Sequence, residues 1–141
     1  MEINIINLLW FFICLHVIYT DIRFRIIENY TVFLAFILVF ITAYELNMQI
    51  NFFISLISLI IGFLLFSLNL IGAGDVKFFS VLMLIIPKEY EILFIFLMSF
   101  IGGILALIMI ILRKKDKGVA YGVAISIAFL SVWIIGKVYE S

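Results

Sequence analysis

Charged residues fall so unevenly along this chain that they cut it into six apolar runs, and this constrains the fold more than any other feature. The runs lie near 3–20, 30–46, 52–71, 76–87, 91–112 and 119–137. A bilayer core of about 30 Å is crossed by about 20 helical residues, and fewer suffice where the bilayer thins or flanking groups snorkel. The runs are continuously apolar and lack the alternation of a membrane strand, so helices are expected rather than a barrel. Hydrophobic residues make up 67% of the 141 and charged residues 13%, too little polar surface to cover a water-facing domain. The expected fold is all-α, a polytopic bundle of six transmembrane helices forming one domain over 1–141. Met1-Glu2-Ile3-Asn4 offers no basic stretch and no small-residue cleavage site, so the first run is expected to be a retained span.

The basic residues orient the bundle. With the N-terminus outside, Asp21–Asn29, Gly72–Lys77 and Arg113–Gly118 become cytoplasmic. They carry Arg23, Arg25, Lys77, Arg113, Lys114, Lys115 and Lys117, leaving only Lys88 and Lys137 on the other side. That is the positive-inside pattern of a multi-pass protein of the cell (inner) membrane. Tyr19, Tyr30, Tyr44, Tyr90 and Tyr139 lie close to the ends of the runs, as an interfacial aromatic belt requires. The fourth run is short. Its 12 residues from Val76 to Pro87 give about 18 Å of helix. Either the bilayer thins there or Gly72–Asp75 lies in a recess, where irregular backbone is tolerated only beside a polar cavity or inside protein.

Several chemistries are excluded early. Cys14 is the only cysteine, so there is neither an internal disulfide nor a CxxC zinc site, and it reads as a small buried apolar residue. His16 is the only histidine and reads as a packing residue or an interhelical hydrogen-bond partner. No metal and no cofactor is expected. Net charge is zero, which gives no sign of nucleic-acid binding. Trp10, Trp133 and the phenylalanines read as lipid-facing or core bulk.

Most of the acids are terminal, lie in outer connections or, like Asp116, sit among lysines. Asp21 and Asp75 are different. Each abuts a long apolar run at the cytoplasmic boundary, where an ionisable group is costly enough to invite a functional reading. The alternative is an interfacial carboxylate, with Asp75 as a helix N-cap. Gly72-Ala73-Gly74 adds to the first reading. Two glycines permit backbone angles closed to other residues and clear the approach of an extended peptide.

Gly72-Ala73-Gly74-Asp75-Val76-Lys77 resembles the GxGD signature of the type IV prepilin peptidase family. Asp21, followed by Ile27-Glu28-Asn29, resembles that family's first block, an aspartate with Ile-Pro-Asn starting six residues later. Tyr121-Gly122-Val123-Ala124 resembles its third, Pro-Tyr-Gly followed by small and apolar residues. The three stand in the family's order, and the six-span layout covers essentially the whole chain. Glu28 and Ala120 depart from it, each standing where proline is usual. There is no cysteine-rich insert of the kind found in members that also N-methylate pilins. The chain therefore resembles the short form associated with Flp (Tad-type) pili, for which methyl transfer is not expected.

The resemblance implies a GxGD aspartic endopeptidase with Asp21 and Asp75 as its catalytic pair, and Gly72, Gly74, Lys77, Asn29, Tyr121 and Gly122 as motif residues near the substrate. Physics allows such a pair: neighbouring carboxylates do not both ionise cheaply, so one keeps a proton while the other activates water. Asp75 at the start of the fourth helix and Asp21 near the end of the first would favour Asp75 as the ionised member. The implied substrate is a prepilin, with a basic leader and an apolar helix that docks among the spans. Gly102, Gly103, Gly122 and Ala124 permit close helix approach, for that helix or for the chain's own. Arg23, Arg25 and Lys77 are best read as topogenic charge rather than as leader or lipid-phosphate contacts. An archaeal preflagellin peptidase shares the same motifs. From other classes, a small ion- or proton-coupled transporter subunit and a non-catalytic secretion scaffold remain alternatives.

Overall fold

The computed structural model describes residues 2–113 and 118–140. Lys114, Lys115, Asp116 and Lys117, part of the expected cytoplasmic charge, lie outside the described residues. Among those described, the chain is all-helical: α1 (Glu2–Phe24), α2 (Asn29–Leu46), α3 (Phe52–Ser67), α4 (Ala73–Met83), a 3₁₀ turn (Lys88–Tyr90), α5 (Glu91–Ile111) and α6 (Tyr121–Glu140). The six helices follow the six apolar runs. Four stretches, Ile5–Phe24, Asn29–Leu46, Lys88–Ile111 and Tyr121–Tyr139, are long and apolar enough to cross a membrane. The protein is a polytopic membrane protein.

Differences from the expected boundaries have local causes. α1 runs past residue 20 to Phe24 because Ile22 and Phe24 continue its apolar character, and it stops where Arg25 turns left-handed (φ 57°) and donates its backbone N–H to the Asp21 carbonyl at 3.1 Å. α3 ends at Ser67, whose hydroxyl donates to the Leu64 carbonyl at 2.7 Å, and Asn69 follows in a left-handed conformation (φ 57°). Asparagine tolerates that conformation better than most residues. α4 starts earlier than expected, at Ala73, so that Asp75 lies inside its first turn. It ends at Met83 rather than at Pro87, since Pro87 has no N–H to donate to the Met83 carbonyl four residues earlier and its ring crowds that oxygen. Leu84 and Ile85 close with tighter bonds to Val81 and Leu82, at 3.2 and 3.1 Å.

Despite its 11 residues, α4 is central. Its Phe78 and Leu82, and Ile85 beyond its end, are fully buried, and the helix packs on α2, α3 and α6. Trp10 of α1 is buried too, 4.9 Å from the ring of Phe129 on α6, and Phe129 continues the aromatic column to Trp133 at 5.7 Å. The indole N–H of Trp10 donates to Thr42 Oγ1 of α2 at 3.0 Å, leaving that polar atom satisfied in a dry interior. Cys14 is buried among the same helices, as the sequence implied.

α3 and α5 flank this centre. α3 has no buried residue and packs on α4, which holds it at two levels. Near its start, Asn51 donates its backbone N–H to the Leu84 carbonyl (2.9 Å) and its side chain to the Ile86 carbonyl (2.8 Å), and Ser55 donates to the Ser80 carbonyl (2.7 Å). Further along, Gly62 receives the Val76 side chain so closely that a Cβ there would lie 2.5 Å from Val76 Cγ1. The outward apolar side chains, such as Phe12, Phe33, Phe53 and Phe63, are exposed and would face lipid.

Candidate active site

Asp21 occupies the last turn of α1, and its carboxylate points inward, 5% exposed. Its Oδ2 accepts the backbone N–H of Val123 at 3.1 Å, with the Gly122 N–H close by. Both amides belong to the first turn of α6, where N–H groups have no partner within the helix. Gly122 makes this approach possible. A Cβ there would lie 2.8 Å from Asp21 Oδ2 and 2.9 Å from Ile27 Cδ1.

Asp75 enters from α4. It is not the N-cap: Gly72 holds that position, and Asp75, three residues on, reaches back to accept the Gly72 N–H at 3.3 Å. Its carboxyl group and that of Asp21 lie within Coulombic reach of each other. Ile27 sits between the two halves of the site. It fills the space at Gly122, and its backbone carbonyl would lie 3.1 Å from a Cβ on Gly74. The three sequence blocks therefore converge at one end of the bundle.

The glycines of Gly72-Ala73-Gly74 do not use their conformational freedom. Gly72 has ordinary extended angles (φ −74°, ψ 150°), Gly74 is helical, and Gly118 is the only glycine with positive φ among the described residues. Gly74 instead lets the start of α4 press on the connection between α1 and α2. The electrostatic asymmetry expected from helix ends also disappears. Asp21 ends one helix but faces the amino end of another, so both aspartates meet the positive end of a helix dipole.

The remaining motif residues divide into two groups. Asn29 and Lys77 pair with each other, Lys77 Nζ donating to Asn29 Oδ1 at 3.2 Å. Tyr121 packs on Gly102 of α5, 3.3 Å from where a Cβ would stand, whereas nothing lies within 4 Å of a Cβ on Gly103. Glu28, in the proline position, keeps φ −72° and ψ 138°, a conformation proline also takes. Its carboxylate turns to His16, with Oε2 3.3 Å from Nε2, and Tyr30 Oη lies 2.9 Å from the same nitrogen. Hydrogen bonding from Tyr30, then from His16, holds the Glu28 carboxyl below its ordinary range. His16 thus links α1 to α2, as a lone intramembrane histidine was expected to do.

Two contributors escaped the sequence reading. The Val123 N–H leaves no trace in residue type. Arg25 was assigned to topogenic charge, yet its guanidinium lies within Coulombic reach of Asp21 and touches Met109 Sδ of α5 at 3.9 Å. Its Nη1 is buried and has no hydrogen-bond partner among the described residues. Those residues contain no cluster of histidine, cysteine and acidic groups able to hold a metal ion.

A profile of the type IV leader peptidase family matches residues 8–107, which include both aspartates and the Gly72–Asp75 motif. No curated protein and no solved structure matches the chain.

Proposed function

Because the chain belongs to the type IV leader peptidase family, we propose that it is an aspartic endopeptidase which removes the leader from Flp-like prepilins at the cytoplasmic face of the membrane. The observation that supports this reading is the convergence of the two acid-bearing blocks on Ile27, which lies against Gly122 beside Asp21 and against Gly74 next to Asp75. Adjacent carboxyl groups hold one proton between them near neutral pH. The ionised member takes a proton from a bound water, and the resulting hydroxide attacks the scissile carbonyl. The protonated member donates to the carbonyl oxygen, and as the C–N bond breaks a proton passes to the leaving amine. Neither a metal nor a covalent intermediate enters the scheme.

The substrate's apolar helix is read as lying among the spans, with its basic leader in the cytoplasm. The buried N–H of Arg25 is suited to bind a carbonyl of the extended peptide beside the acids. Methyl transfer is not part of the proposal. The test is co-expression with candidate pilins, comparing wild type with Asp21→Asn and Asp75→Asn. Leader removal lost in both single variants is the expected result. Full processing by either variant refutes the pair, and ion flux from reconstituted vesicles without processing would indicate a carrier.

A further inference from the structure

A groove of about 650 Å³ runs along α4 between α2 and α3, lined among others by Asn29, Phe33, Phe36, Leu56, Lys77 and Val81. Its walls are almost entirely apolar, with a single cation, Lys77, hydrogen-bonded to Asn29 at one end. None of the residues lining it is acidic. From Lys77 to Leu84, also in the lining, is about 10 Å along the helix, most of one leaflet's hydrocarbon depth of about 15 Å. The groove is thus wet and positive at one end and oily over the rest of its length.

We infer that this groove binds an anionic phospholipid, with the phosphate at Lys77 and Asn29 and an acyl chain along Phe33, Phe36, Leu56 and Val81. Two observations choose this occupant over a substrate helix. Lys77 follows Asp75 by two positions in α4, a rotation of about 200° at 3.6 residues per turn, so the groove lies on the face of α4 away from the acid pair. A basic leader would also meet a lysine at the mouth, whereas a phosphate meets its complement. Glu28, the nearest acid in sequence to Asn29, turns its carboxylate to His16 on the α1 side.

The inference stands apart from the peptidase reading and is tested without any cleavage assay. Full-length protein in detergent is offered phosphatidylglycerol and phosphatidylcholine with identical acyl chains, and bound lipid is counted by native mass spectrometry. Wild type and an Asp21→Asn/Asp75→Asn double variant should both retain phosphatidylglycerol about fivefold better, roughly what one lysine near an anionic headgroup contributes. Lys77→Gln should remove that preference, and Leu56→Trp, which fills the groove, should lower retention of both lipids. In wild type, phosphatidylglycerol with a photoreactive group in its acyl chain should label peptides spanning 29–36 and 77–84, which keeps the test informative if a variant fails to fold. Labelling elsewhere, or a preference unchanged in Lys77→Gln, overturns the inference. So does displacement of the lipid by inorganic phosphate without labelling of the groove, or cross-linking of two copies through these residues.

Discussion

The Asp21 carboxylate accepts a hydrogen bond from the backbone N–H of Val123, 3.1 Å away and 102 positions later in the chain. This contact ties the end of α1 to the start of α6 and leaves little room for the acid to move. When Asp21 is the ionised member, this bond is charge-assisted and about twice as strong as a neutral one. It also places the third sequence block in direct service of the first.

Gly122→Ala tests that contact. The added methyl must displace both Asp21 and Ile27, so we expect leader cleavage to fall at least 10-fold while stability falls by about 1–3 kcal/mol, the usual range for overpacking. Pilin processing and thermal unfolding in detergent are the paired measurements. Normal cleavage by a folded Gly122→Ala protein would show that Asp21 need not hold this position.

The proposed sharing of one proton between Asp21 and Asp75 carries a pH dependence. Cleavage should follow a bell-shaped profile, falling at low pH when both acids are protonated and at high pH when neither is. In Asp21→Asn and Asp75→Asn the rate should drop by about 100- to 10,000-fold, the typical contribution of general acid–base catalysis. Initial rates on a purified pilin precursor across the pH range measure both.

Glu28 gives a pH effect of a different kind. Its carboxyl is held below the ordinary value of 4.5 by Tyr30 and His16. The stabilisation it contributes is therefore present above that value and is lost as pH falls through the lower folded value. Wild type and Glu28→Gln should melt at the same temperature in strong acid, with wild type the more stable of the two above about pH 5. Glu28→Pro should retain cleavage, since φ −72° already suits proline.

At the α3–α4 contact, Gly62→Leu must push Val76 aside. We expect a loss of about 1–3 kcal/mol, with faster proteolysis or amide exchange confined to α3. Uniform loosening of all six helices would contradict the view of α3 as an outer layer.

The helices were legible for definite reasons, and so was the choice of candidate acids. Six apolar runs delimited by charge leave helices as the natural solution in a bilayer, and Asp21 and Asp75 stand out because so few acids abut those runs. Other features were not legible, because they depend on partners distant in sequence. The contact of Gly62 with Val76 involves residue types that occur throughout the chain, and the donor opposite Asp21 is backbone, which no residue type announces. Gly72 and Gly74 drew attention for angles they do not adopt, since close packing and conformational freedom call for the same residue. Pro87 was placed inside the fourth run by hydropathy alone, whereas its ring ends α4 at Met83.

α3 packs mainly on α4 and has no fully buried side chain, so it works as an outer wall of the molecule. Reporter groups attached to its outer surface, at Phe53 or Phe63 for example, would leave both acids and the buried aromatic column untouched. That face is where a fluorophore or spin label can follow the protein in a bilayer without disturbing its chemistry.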